Sequence, residues 1–326
     1  MIPLTLSDIR AAQEAIRGLV HRTPCVASAT LSRLTGTEAF LKLENLQKTG
    51  SFKPRGALVT MKALPAEELH RGVVTISAGN HAQGVAFAAA ALGCRATVVM
   101  PATASLAKAE AARGYGAEVI LHGDIHAAFE RLEEIRAERR LFFVHPFDAP
   151  GTVAGQGTVG LEILEDLPEA DLILAGIGGG GLISGIALAI KESRPRARVI
   201  GVEPEGAPSM RRSLDSGRPE RLERTDTIAD GLAAPFAGQI NFEIVRRYVD
   251  DVVLVTDAEI RTAMRFLLER CKLLAEPAGA AATAALLAGK VKPAAGSRVV
   301  SVISGGNIDA ENLARQIRLA RPYTAP

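Results

Sequence analysis

Cysteine is scarce in this chain. Cys25, Cys94 and Cys271 lie far apart and are odd in number, which fits neither a CxxC metal site nor a disulfide framework and favours a reducing compartment. A basic block is also missing: 38 Lys and Arg face 36 Asp and Glu, a net charge of +2 spread along the sequence, so there is no nucleic-acid footprint and no polybasic membrane patch. Unbroken apolar runs are absent too. Asp8, Arg10, Glu14 and Arg17 interrupt the stretch where a signal peptide would need one, and the apolar segment 171–190 is cut by glycine clusters and too short to span a bilayer. These absences predict a soluble, cytoplasmic protein. What is there is 326 residues, 48% hydrophobic and 23% charged, enough for one large or two ordinary domains with no low-complexity tail and no solenoid repeat.

Short β-branched runs alternate with helical patterns across glycine-rich turns, the pattern of βαβ units and a mainly parallel sheet. Strands are expected over 73–76, 96–100, 117–121, 171–175, 198–202 and 298–303, and helices over 80–92, 105–113, 124–140, 182–193, 257–271 and 309–319. Asp257 and Asp309 open the last two, where acidic residues suit a helix N-terminus. Pro146, Pro150 and Gly151 break the pattern near residue 150, and a fresh helix follows from about residue 154.

One theme occurs three times: a strand, a Gly/Ser/Asn turn, then a helix. The turns are SAGNHAQG (77–84), GIGGGGLISG (176–185) and SGGNID (304–309), each expected at the carboxyl end of a parallel strand, where doubly wound sheets bind ligands. Gly176, Gly178 and Gly181 satisfy GxGxxG, and Glu203 ends the next strand where a dinucleotide fold keeps its ribose carboxylate, so a nicotinamide oxidoreductase is one reading. The four consecutive glycines 178–181 suit instead a phosphate monoester at a helix N-terminus, and a flexible turn without a ligand is the plain alternative. Lysine is the rarer cation, 9 against 29 arginines, and Lys53 lies between Phe52 and Pro54 rather than among charges. A desolvated amine there would attack aldehydes; a surface lysine is the ordinary alternative.

The segment Ser51, Phe52, Lys53, Arg55 and Gly56 resembles the SFKxRGA motif of the pyridoxal-phosphate-dependent threonine/serine dehydratases, the fold type II enzymes. The resemblance continues in order through SAGNHAQG, GGGGLISG (178–185), residues 227–231, LLAEPAGA (273–280) and SGGN (304–307). It implies an α/β fold of two lobes with doubly wound, mainly parallel sheets: a small lobe of 48–146 inserted in a large one made of 1–47 and 147–326. It also implies pyridoxal 5'-phosphate as cofactor. Lys53 would bind it covalently and then take the Cα proton, Phe52 would pack beside it, and Asn80 would bond its phenolic oxygen. Gly178, Gly179, Gly180 and Gly181 would cradle the phosphate. Ser304 would face the ring nitrogen, a neutral partner that favours prompt elimination. Ser77, Asn80 and His81 would hold the substrate carboxylate; the His81 ring could equally be a packed, satisfied histidine. The implied reaction is loss of water from a β-hydroxy amino acid, with L-threonine giving 2-oxobutanoate and ammonia and L-serine giving pyruvate and ammonia.

Several departures matter. The related serine racemases carry a second acid/base, a serine, where this chain has Ala78, which disfavours racemisation. The asparagine usual after the family's His-Pro pair is Phe147, following His145 and Pro146. A divalent-cation site would map to Glu203, the Ala207 carbonyl and Ser209, where a second carboxylate is usual; a surface or helix-adjacent acid is the alternative for Glu203. The chain stops at Pro326, so no amino-acid-sensing domain and no isoleucine feedback are expected. A homodimer or homotetramer is the assembly the resemblance implies. A dehydratase for 3-hydroxyaspartate or phenylserine, and an amino-acid sensor without catalysis, complete the alternatives.

Overall fold

The computed structural model describes residues 2–104 and 106–323. Ten strands occur among them: β1 (Cys25–Ala27), β2 (Glu38–Leu43), β3 (Val73–Ile76), β4 (Ala96–Met100), β5 (Glu118–Leu121), β6 (Phe142–Phe143), β7 (Leu172–Gly176), β8 (Arg198–Pro204), β9 (Asp251–Val255) and β10 (Arg298–Ile303). They form two sheets, one in the order β1-β2-β10-β7-β8-β9 and one in the order β5-β4-β3-β6. Only β1 and β2 pair antiparallel; every other pairing is parallel. Each residue of β3, β4 and β7 is buried, as expected of parallel strands covered by helices on both faces.

The expected strands and helices are present with ends shifted by two residues or fewer, save two. The run 257–271 is an α-helix only over Asp257–Phe266; Leu267–Cys271 is π-helical and Lys272 stops it in the left-handed region, with φ 61°. The expected helix 105–113 is seen as Leu106–Gly114, and residue 105 lies outside the described residues. The helix expected from about 154 begins at Pro150, which sits in the first turn where its missing N–H costs nothing.

Helix Pro150–Asp166 is the central packing element, lying against helix Lys53–Lys62 on one side and helix Gly181–Ser193 on the other. Its small residues let backbones touch. A β-carbon on Gly155 would stand 2.5 Å from the Arg55 carbonyl oxygen, and one on Gly185 would stand 2.4 Å from the Gly157 nitrogen.

Beside this contact is a fully buried ionic cluster. Arg55 donates to Glu44 at 2.8 and 2.9 Å and to Glu162 at 2.6 and 2.9 Å, and Lys42 Nζ donates to Glu162 at 2.6 Å. Two cations meet two anions, so the desolvated group is neutral as a whole. Burial works to raise the Glu44 pKa, but the Arg55 charge and its hydrogen bonds hold it below the ordinary value.

Candidate active site

A cavity of about 630 Å³ opens between the two sheets, at the carboxyl ends of β3, β7 and β10, a volume within the roughly 300–1,000 Å³ typical of ligand sites. The three turns singled out in the sequence meet there. A groove of similar size, about 660 Å³, runs past Arg71, Arg136 and Arg140, but it holds none of the expected residues, and Arg71 and Arg136 are already paired with Glu67 and Glu133.

Lys53 opens helix Lys53–Lys62, followed by Pro54 in the first turn. Its Nζ donates to the Pro146 carbonyl at 2.9 Å and lies 5.1 Å from the centre of the Phe52 ring. Burial lowers its pKa to about 8, while the charge of Glu276 pulls the other way. A neutral fraction of amine therefore exists near physiological pH, which an exposed lysine would not have.

The second turn follows β3. Ser77 Oγ accepts from the Gly79 N–H at 3.2 Å, and Asn80 begins helix Asn80–Leu92. The Asn80 amide is held at both ends: its Oδ1 accepts from Asn307 Nδ2 at 2.8 Å and its Nδ2 donates to Glu276 Oε1 at 2.5 Å. One Nδ2 hydrogen is left over for the cavity. For the His81 ring the structure matches the second of the two readings, the packed histidine. Its ring is buried, bonded through Nε2 to the Val144 carbonyl at 3.0 Å, and burial drives its pKa down to about 3, with the Lys53 charge adding to the effect. The ring is a satisfied, neutral core histidine; what His81 offers the cavity is a main-chain N–H in the first helical turn, where such groups lack helical acceptors.

The third turn is the glycine loop after β7. Gly180 has φ 100°, and helix Gly181–Ser193 starts immediately after it. Asn241 Nδ2 and the Gly238 N–H both donate to the Gly179 carbonyl, at 2.8 and 3.1 Å, so that carbonyl is tied down while the first-turn N–H groups stay available to an anion. The Phe147 ring covers this loop: a β-carbon on Gly179 would fall 2.3 Å from it. Phe147 also meets His145 edge to face and Phe236 at a tilt, at centroid distances of 4.8 and 5.4 Å. Ser304, at the end of β10, donates to the Ala278 carbonyl over a long 3.4 Å, and its own carbonyl accepts from the Phe52 N–H at 3.2 Å.

Glu203, Ala207 and Ser209 are brought together, but not at the cavity. Glu203 is fully buried, not a surface acid, and its two carboxylate oxygens accept from the Met210 and Arg211 N–H groups at 2.8 Å each at the start of helix Ser209–Ser216. Burial raises its pKa to about 7, against those bonds. A single carboxylate that accepts two backbone N–H groups at the positive end of a helix, with Ser209 in place of a second carboxylate, is a poor donor set for a divalent cation, and it lies away from the cavity where a ribose would be bound. This removes the structural support for a nicotinamide site.

Four side chains at or beside the cavity were given no role in the sequence. Asn307 and Glu276 lie in quoted motifs, SGGN and LLAEPAGA, without an assigned role. Asn241 and Gln156 had no local signal. Gln156 lines the cavity at 1% exposure with Oε1 unpartnered, an uncommon state for a buried polar atom. Lys108 and Asp230 form an ion pair at the cavity wall, with Nζ 3.2 Å from Oδ2.

Residues 16–305 match the family model described as pyridoxal-phosphate dependent enzyme. The chain belongs to this family. An L-threonine ammonia-lyase of Thermotoga maritima is 50% identical over 96% of this chain and 78% of its own length. The catabolic L-threonine dehydratase TdcB of Escherichia coli is 45% identical over 96% of both. Among solved structures, maize serine racemase superposes with a TM-score of 0.92 at 39% identity, over 96% of this chain and 97% of that one. The cofactor of the family is pyridoxal phosphate, and the cavity fits it: a buried amine faces it, and at its edge lies a glycine loop at a helix N-terminus, packed so closely on Phe147, Asn241 and Gly231 that a β-carbon at any of residues 178–181 would come within 3.0 Å of protein atoms. No helix among the described residues is long and apolar enough to cross a membrane.

Proposed function

We propose that the chain catalyses loss of water from a β-hydroxy amino acid, and that the released enamine takes water back up as it hydrolyses to a 2-oxo acid and ammonia, so that L-threonine gives 2-oxobutanoate and ammonia and L-serine gives pyruvate and ammonia. The observation that carries this reading is the buried amine of Lys53, held 2.9 Å from the Pro146 carbonyl in a cavity bounded by the glycine loop and the 77–80 turn. When bound, the cofactor supplies an electron-withdrawing ring that takes up the charge left at Cα. Lys53 would anchor it, with the N–H groups of Gly178, Gly179, Gly180 and Gly181 on its phosphate, Asn80 at its phenolic oxygen, Ser304 at its ring nitrogen and Phe52 beside it.

Lys53 Nζ takes the proton from Cα, and its lowered pKa favours the unprotonated amine this needs. Ser77 and the His81 main-chain N–H hold the substrate carboxylate, which fixes the Cα–H bond toward that amine, while the one free Nδ2 hydrogen of Asn80 is kept for the cofactor. Phe147 puts an apolar ring over the glycine loop and keeps water from that end. A second reading, racemisation, needs a proton carrier on the opposite face of Cα. Ala78 lines the cavity there with a methyl group, which supports elimination instead.

The same reading divides the chain into a small lobe of 48–146 and a large lobe of 1–47 with 147–326, assembled as a homodimer or homotetramer. Three unpaired thiols suit the cytoplasm. Purified protein given a panel of L-threonine, L-serine, 3-hydroxyaspartate and phenylserine should release 2-oxo acid and ammonia fastest from the first two, without forming D-serine. Failure to release ammonia from any of the four overturns the reading.

A further inference from the structure

The cavity contains a second buried ionisable group that the reaction as derived does not use. Glu276 is the N-cap of helix Pro277–Leu287, 8% exposed, and its Oε1 accepts from Asn80 Nδ2 at 2.5 Å. Asn80 in turn accepts from Asn307, whose Nδ2 also donates to the Thr49 carbonyl at 2.7 Å. Two distant side chains thus grip the Asn80 amide, and a fourth segment, through the Thr49 carbonyl, fixes one of them. The fit is tight: a β-carbon on Gly305 would stand 2.4 Å from Glu276 Oε1, so the loop after β10 must be glycine there for the carboxyl to reach Asn80.

An asparagine amide can turn over, exchanging its donor and acceptor ends. Here the two neighbours forbid it, because Asn307 presents a donor and Glu276, as a carboxylate, presents only acceptors. We infer that Glu276 is a positioning residue acting through Asn80: its carboxylate turns one N–H of the Asn80 amide toward the cofactor, and protonation of the carboxyl weakens that hold. The inference rests on the reading that Asn80 faces the cofactor. The charged groups acting on Glu276 are Lys108 and Lys53, which favour the carboxylate, and Asp230, which opposes it. Burial outweighs them and brings the pKa up to about 7, so the hold is released within the working range of pH.

The test is the visible band of the holoenzyme followed from pH 5.5 to 9, together with kcat/KM for L-threonine, in wild type, Glu276→Gln, Glu276→Asp and Lys53→Ala. Wild type should show a band whose shape and position titrate near pH 7. Glu276→Gln, which cannot ionise, should lose that transition and keep the low-pH form of the spectrum throughout. Its kcat/KM should fall about tenfold above pH 7, the size expected for one charge-assisted hydrogen bond, and little below pH 6. Glu276→Asp should restore the transition in part, which a merely structural role would not do. A wild-type band that does not titrate between pH 6 and 8 overturns the proposal without needing any variant to fold, and so does an unchanged transition in Glu276→Gln. A holoenzyme with no Lys53-dependent band at all overturns the underlying reading and the proposal with it.

Discussion

In two of the site's side chains, Lys53 and His81, burial shifts the balance toward the neutral form, and the two have opposite uses. For Lys53 the consequence is reactivity. Lys53→Ala should reduce turnover by a factor of a thousand or more and abolish the borohydride-fixable visible absorbance, measured on protein purified with added cofactor. For His81 it is acid lability. Its folded pKa of about 3 lies below the ordinary 6.5, so the unfolded chain binds a proton that the folded one refuses. Stability is complete above pH 6.5 and drains away as pH falls toward 3, by ~2 kcal/mol at pH 5. Urea midpoints at pH 7 and pH 5 should differ by less in His81→Gln than in wild type. Lys53 was legible from its neighbours and the motif around it, because a lysine between Phe52 and Pro54 lacks charged company. The fate of the His81 ring was not, since its partner is the Val144 carbonyl, 63 residues away in a segment with no chemical signal.

Among the elements, the glycine loop depends on what lies above it. Gly179→Ala would push a methyl group into the Phe147 ring, and overpacking of this kind costs roughly 1–3 kcal/mol. Cofactor affinity should fall about tenfold or more, and the double variant Gly179→Ala with Phe147→Ala should recover most of it; equilibrium titration with pyridoxal phosphate measures both. The strands were read nearly to the residue where β-branched runs are buried on both faces, as in β3, β4 and β10. Seven α-helices were not expected from the sequence, and two of them that build the site were hidden for physical reasons. Lys53–Lys62 contains Pro54 and Gly56, breakers in isolation, yet the proline occupies the first turn and the glycine admits Gln156. Pro277–Leu287 is apolar all round because almost all of it is buried, and a helix with no polar face leaves no 3.6-residue stripe to see.

At the level of the whole molecule, the Lys53 helix is fastened by charge as well as by apolar packing. Arg55→Met would leave Glu44 and Glu162 short of their main partner, and breaking a buried pair in this way costs about 3–5 kcal/mol. A lowered melting temperature and weakened cofactor retention should appear together, because Arg55 is two residues from Lys53. Lys108 and Asp230 are the opposite case. Their side chains are 30% and 75% exposed, so dissolved salt reaches them while it cannot reach Arg55. The buried cluster behind the Lys53 helix is therefore bolted while the Lys108–Asp230 wall of the cleft is only latched, and ionic strength acts on the latch alone. Substrate should be admitted past Lys108, faster in half-molar sodium chloride than in dilute buffer by stopped-flow, and Asp230→Asn should remove that dependence.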